Sequence, residues 1–181
     1  MSCLTDLDNR IDKVLYNEDQ ILQRVKELAD QINHDYLGKT LVLVGILKGA
    51  FMFMSDLSKR LKIDHLIEFM ALSSYGDKTT STGNVRILMD IRSDISNQNV
   101  LIIEDIIDTG YTLDFLMNLL KTRSPASLEI CSFLRKKECL KREVSVKYIG
   151  FDVPNYWIVG YGLDLAEELR TLPYIAYLKG S

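Results

Sequence analysis

Short apolar runs alternate along this chain with stretches whose apolar side chains return every third or fourth position, the pattern of strands that lead into helices. Residues 41–46 and 100–103 are apolar throughout, as expected of strands covered on both faces of a parallel sheet. Residues 63–72, 85–89 and 128–134 read as further strands, with shorter ones over 146–151 and 157–159 and one more over 174–178. Asn17 can cap a helix with Glu18 and Asp19 in its first turn; Ile21, Val25, Leu28 and Ile32 give that helix an apolar face, and it ends before Gly38. A second helix is predicted over 50–61, and Leu113, Phe115, Leu116, Leu119 and Leu120 predict a third at helical spacing. The expected fold class is α/β, with a central, mainly parallel sheet flanked by helices. No internal repeat or low-complexity linker divides the chain, so a single domain over 1–181 is expected.

The segment VLIIEDIIDTGYTL, residues 100–113, carries the most chemistry. The apolar run ends in Glu104 and Asp105, and residues 104–110 read as a loop between strand and helix. In open α/β sheets ligands bind beyond the carboxyl ends of the strands, where the next helix offers unpaired N–H groups and the positive end of its dipole to an anion. Asp108, Thr109, Gly110, Tyr111 and Thr112 would therefore wrap a phosphate, with Gly110 permitting close backbone approach and the two threonine hydroxyls donating. Two carboxylates one turn before a phosphate would repel it unless something lies between them. A ribose diol or a magnesium ion fits that gap; the plainer reading of Glu104 and Asp105 is solvated acids where a strand surfaces.

Composition narrows the partners. The chain has 181 residues, 47% of them hydrophobic, enough for one well-filled core. A net charge of −3 argues against a protein devoted to nucleic-acid backbones. The start MSCLTDLDNR carries acids and no apolar core, and no apolar run approaches the roughly 20 residues of a membrane span, so neither a secretory signal nor a membrane partner is expected, and a cytoplasmic location is. Cys3, Cys131 and Cys139 show no CxxC spacing and read as reduced thiols rather than disulfides or zinc ligands.

A hydrophobic run, Glu-Asp, two aliphatics and then Asp-Thr-Gly-x-Thr resembles the phosphoribosyl-diphosphate (PRPP) motif of the type I phosphoribosyltransferases. Ile106-Ile107 and four other segments resemble the hypoxanthine-guanine branch. Leu47-Lys48-Gly49 resembles the pyrophosphate-binding loop. Ser74-Tyr75, opening the polar run GDKTTSTG, resembles the mobile lid that closes over the reacting carbon. Lys136 matches the lysine that reads the purine 6-oxo group, and VGYGLD (residues 159–164) with Arg170 matches the purine and pyrophosphate end. The motifs occur in order over nearly the whole chain. The resemblance implies the type I fold with a small hood formed by the terminal segments, Trp157 stacking on the base, Ile158 bonding its edge through the backbone, and Asp164 joining Glu104 and Asp105 around Mg2+. It also implies Asp108 as acceptor of the purine N7 proton, in a displacement with oxocarbenium character that turns hypoxanthine or guanine and PRPP into IMP or GMP and pyrophosphate.

Each of these residues also has an ordinary reading. Lys48 can be a helix-start lysine, Lys136 part of a solvated basic run over 135–142, Trp157 a core aromatic, and Asp164 and Arg170 a cap and a surface charge. His34 and His65 match no motif. Tyr111 fills a position whose backbone does the binding, while KKECLKREVSVK departs from the proline-containing bacterial pattern and leaves base preference open. Two alternatives keep the same phosphate loop: a regulator of this fold that binds nucleic acid, and a transferase for another base such as xanthine. Relatives form dimers or tetramers, so a homodimer or homotetramer is expected, with the apolar stretch 50–54 as a contact.

Overall fold

The computed structural model describes residues 8–75 and 84–180. Strands β1 (Ile11–Tyr16), β2 (Leu41–Leu47), β3 (His65–Tyr75), β4 (Asn84–Met89), β5 (Asn99–Ile107), β6 (Ser127–Arg135), β7 (Tyr148–Asp152), β8 (Ile158–Val159) and β9 (Ile175–Leu178) are joined by helices α1 (Glu18–Asp35), α2 (Phe51–Ser58) and α3 (Tyr111–Lys121). Six strands form one sheet in the order β4-β3-β2-β5-β6-β7, parallel except for β4, which runs antiparallel to β3.

Side-chain alternation on the two central strands builds a core on each face of this sheet. Leu41, Leu43, Leu101 and Ile103 pack with Ile21, Val25, Leu28 and Ile32 of α1 and Phe53, Met54 and Leu57 of α2. Val42, Val44, Val100 and Ile102 pack on the opposite side with Leu113, Leu116 and Leu120 of α3. The helix α1 begins as its sequence indicates: the Asn17 side chain accepts from the Gln20 backbone N–H at 2.9 Å, and Gln20 returns a bond to the Asn17 N–H at 3.0 Å.

Three features depart from the periodicity reading. Glu104 and Asp105 lie within β5, not in a loop, because β6 keeps pairing alongside as far as Ile107↔Arg135; the loop proper is Asp108–Gly110. The first strand, β1, was not expected from its pattern. It pairs antiparallel with β9, and β9 with β8, giving a three-stranded hood made of both ends of the described chain. Register shifts between Ile11 and Lys13 and between Val14 and Tyr16 break the period of two that marks a strand. The stretch 50–54 is not an exposed apolar face: Ala50, Phe53 and Met54 are at most 1% exposed, and only Phe51 reaches 37%.

Candidate active site

The candidate residues gather at the carboxyl ends of β2, β5 and β6, where a parallel sheet places its ligands, and are joined there by residues around β8. Strand β5 delivers the acids. Glu104 is buried and its Oε2 has no hydrogen-bond partner, while Asp105 beside it accepts from the Ile106 backbone N–H at 2.8 Å. Burial pushes Glu104 well above the usual carboxylate range, and the neighbouring Asp105 charge adds to the shift; burial raises Asp105 as well. The turn after β2 closes over them through the cis peptide Leu47–Lys48. At position 49 a Cβ would stand 1.5 Å from Asp105 Oδ2, so any larger residue requires that carboxylate to shift.

The turn Asp108–Gly110 ends in Gly110, which adopts φ 85° and caps α3. A Cβ on Gly110 would also meet the Arg142 carbonyl oxygen at 2.7 Å. That proximity reflects a strap that the sequence did not single out. The 3₁₀ turn Lys137–Cys139 and the residues after it fold back onto the turn, with Lys136 N–H donating to Ile107 O at 2.8 Å and both Lys141 and Arg142 N–H donating to Thr109 O at 3.0 and 3.1 Å. The Arg142 guanidinium lies 5.4 Å from the Tyr111 ring centroid. The first N–H groups of α3 have no acceptor within the helix.

A cleft of about 280 Å³ opens next to the turn, lined by Asp105, Ile106, Asp108, Lys136, Trp157, Ile158, Leu163 and Asp164. At its polar end Lys136 Nζ stands 3.5 Å from Asp108 Oδ2. Its other wall is apolar: Ile158 and Leu163 are buried, and Trp157 is 58% exposed rather than a core residue, its indole N–H 3.4 Å from the Asp164 carbonyl oxygen. Asp108, Lys136, Trp157, Ile158 and Asp164, named from distant parts of the sequence, thus share one concavity.

Lys48 and Arg170 are both engaged by acids. Lys48 Nζ is 2.9 Å from Glu167 Oε2; Arg170 Nη2 is 2.8 Å from Asp164 Oδ1 and 3.1 Å from the same Glu167 oxygen. Arg170 Nη1 donates to Gly162 O at 2.8 Å, which leaves its buried Nε without a partner. Lys48, and then Arg170, hold Glu167 below its usual value. No sequence motif pointed to Glu167.

Ser74 and Tyr75 close β3, their backbones paired with Val85 and Asn84; the lid run after them, 76–83, lies outside the described residues. Among the described residues no three acids, histidines or cysteines gather into a metal-binding cluster, so Glu104, Asp105 and Asp164 do not form a ready-made cage. Glu104 and Asp105 nonetheless suit a hard cation that takes one or two carboxylates and completes its shell with ligand phosphates and water. Cys131 is buried and Cys139 partly so, and both are free; Cys3 is outside the described residues. Among the described residues no helix is long and apolar enough to cross a membrane.

Residues 13–166 match the phosphoribosyl transferase domain family, and this chain belongs to that family. Within it, the similarity falls on the hypoxanthine-guanine enzymes. The hypoxanthine-guanine phosphoribosyltransferase of Dictyostelium discoideum is 54% identical over 171 residues, 92% of this chain and 95% of its own length. A crystal structure of a Staphylococcus aureus hypoxanthine phosphoribosyltransferase superposes with a TM-score of 0.94 at 47% identity, covering 98% of this chain and 97% of that one. The hypoxanthine-guanine phosphoribosyltransferase of Bacillus anthracis, solved with a HEPES molecule in its active site, gives 0.90 at 43% identity, covering 93% and 99%.

Proposed function

We propose that this chain transfers the 5-phosphoribosyl group of PRPP to a 6-oxopurine, hypoxanthine or guanine, releasing pyrophosphate. The observation that carries the reading is the cleft, where an ammonium donor and a carboxylate acceptor stand together at one end of an apolar slot that opens onto a phosphate turn. A planar base fits between Trp157 and the aliphatic wall, with the Ile158 backbone along its edge. Lys136 donates to the 6-oxo oxygen, a contact that adenine, with a 6-amino donor, cannot return. As the attacking base nitrogen bonds to the anomeric carbon the purine acquires positive charge, and Asp108 relieves it by taking the N7 proton.

Charge separates as the bond to pyrophosphate breaks. Thr109, Gly110, Tyr111 and Thr112 hold the 5-phosphate, and Glu104 and Asp105 hold the ribose hydroxyls and temper the positive sugar. Lys48, Gly49 and Arg170 receive the diphosphate, with Ser74 and Tyr75 closing over the reacting carbon to keep water out. Mg2+ would be held by Glu104 and Asp105, with Asp164 nearby, and would supply a Lewis acid for the departing oxygens. The free thiols of Cys131 and Cys139 support a cytoplasmic setting, and the acidic balance supports small-molecule substrates over nucleic acid. A homodimer or homotetramer is supported by Leu66, Ile67, Leu88 and Met89, which stand 41–62% exposed on β3 and β4; light scattering that returns a monomer would remove this part.

The test is a spectrophotometric assay with PRPP and magnesium, offering hypoxanthine, guanine, xanthine and adenine in turn. Turnover of hypoxanthine or guanine with adenine inert is expected. Nucleotide binding without turnover of any base would overturn the transfer reading in favour of a regulator.

A further inference from the structure

We infer that Glu167 is a stand-in for pyrophosphate: its carboxylate bridges the two cations that would receive the diphosphate, and ligand binding has to displace it. The inference rests on the transfer reading above. A single oxygen, Oε2, lies 2.9 Å from Lys48 Nζ and 3.1 Å from Arg170 Nη2. One anionic oxygen between two cations is how a diphosphate oxygen would sit there, and with both Nη2 hydrogens of Arg170 taken by Asp164 and Glu167, a diphosphate oxygen reaches that nitrogen by displacing a carboxylate, of which Glu167 is the more exposed, 64% against 31%.

Glu167 is held in this place by its backbone. Leu165 and Glu168 exchange N–H···O bonds of 3.1 and 2.9 Å, which makes Ala166 and Glu167 the central pair of a tight turn. Their φ values are 49° and 72°, the left-handed pair for which turns ordinarily take glycine or asparagine. The Glu167 N–H is pinned to Asp164 Oδ2 at 2.8 Å. A side chain that offers nothing would be out of place at such a position, whereas one that neutralises two converging cations has a reason to stand there.

The contact is also suited to exchange. Lys48 and Glu167 side chains are 66% and 64% exposed, so the pair contributes little to the fold and is readily replaced by a multiply charged anion. By competing, Glu167 weakens the hold on released pyrophosphate and keeps Lys48 and Arg170 from repelling one another between turnovers. It is a competing group and not a catalytic one.

The experiment measures pyrophosphate binding by calorimetry, together with pyrophosphate inhibition against PRPP, in the wild-type chain, Glu167→Gln and Glu167→Gly. The glycine variant suits φ 72° and so serves if the glutamine variant folds poorly. Both variants are expected to bind pyrophosphate about three- to tenfold tighter in about 0.05 M salt, and the gain should narrow in about 0.5 M salt as the exposed pairs are screened. Unchanged or weaker binding in the variants, with the wild type binding normally, would overturn the inference alone. A wild-type chain that binds no pyrophosphate and transfers no phosphoribosyl group would instead overturn the functional reading, and this inference with it.

Discussion

The floor of the site and its rim are built in opposite ways. The floor is strand: Glu104 and Asp105 are fixed by the β5–β6 register, the Gly49 turn leaves no room above Asp105, and Glu104 Oε2 remains buried without a partner. The rim is loop: Lys48, Asp164, Glu167 and Arg170 stand at turns, and their charges are paired with one another. Unmet polarity on a rigid floor waits for groups that only a ligand supplies, and such a site costs little reorganisation when the ligand arrives. The Lys48–Glu167 pair, 66% and 64% exposed, is weak enough to be traded for substrate oxygens. The proposed chemistry divides accordingly: the sheet would position the substrate, and the loops would exchange their own ion pairs for it.

The strongest way to break that division is at the point where floor meets turn. Asp108→Asn is expected to lower turnover by about 10²–10⁴-fold while nucleotide binding remains measurable, because it removes a proton acceptor and preserves shape. Wild-type turnover in this variant would exclude Asp108 as the acceptor. Gly49→Ala tests the floor's rigidity. Its Cβ would meet Asp105 Oδ2 at 1.5 Å, so the carboxylate has to move by more than an ångström, which is expected to cost about 10²-fold in kcat/KM. A near-normal rate would mean that the floor yields as easily as the rim.

Lys136→Ala sharpens the comparison on the cleft side. It removes a charged donor to the 6-oxo group, and kcat/KM for hypoxanthine should fall about tenfold or more while inhibition by pyrophosphate is unaltered. Equal losses in base and pyrophosphate binding would place Lys136 in the general field of the site instead. The smallest effect is a control remote from both regions. Asp35 accepts from the Tyr148 hydroxyl at 2.6 Å and pairs with Lys147 at 3.0 Å, and these partners, Tyr148 first, hold its carboxyl below the ordinary 3.8. Asp35→Asn should cost less than about 1 kcal/mol in urea melts and leave activity alone. Because the folded-state value is depressed, this contribution is complete above the unfolded value near 4 and is lost as pH falls through the folded one. The wild-type advantage should therefore be flat from about pH 5 to 8 and vanish in stronger acid; persistence there would show that charge is not its source.

Much of this arrangement was legible in the chain because its signals are local. The apolar runs of β2 and β5 and the faces of α1 and α3 carry their own periodicity, and the DTGYT turn states its chemistry in consecutive residues. Trp157, by contrast, reads as core from composition alone, yet it is 58% exposed, because its neighbours and not its hydrophobicity decide where a large ring lies. The KKECLKR stretch looked like an irregular basic run. Its role as a strap on Thr109 depends on backbone bonds that no side-chain pattern records.

Hydrophobic period and contiguous motifs were enough for the order of strands and helices from α1 onward, for the turn Asp108–Gly110 and for the family. Only the tertiary structure decided that Glu104 and Asp105 belong to a strand, that Ile11–Tyr16 pairs with Ile175–Leu178, and that Glu167 stands between Lys48 and Arg170. Each of these depends on partners supplied by other strands or loops of the fold. A pairing partner, a buried neighbour or a bridging charge is fixed by the packing of the whole chain, and local residue order does not encode it.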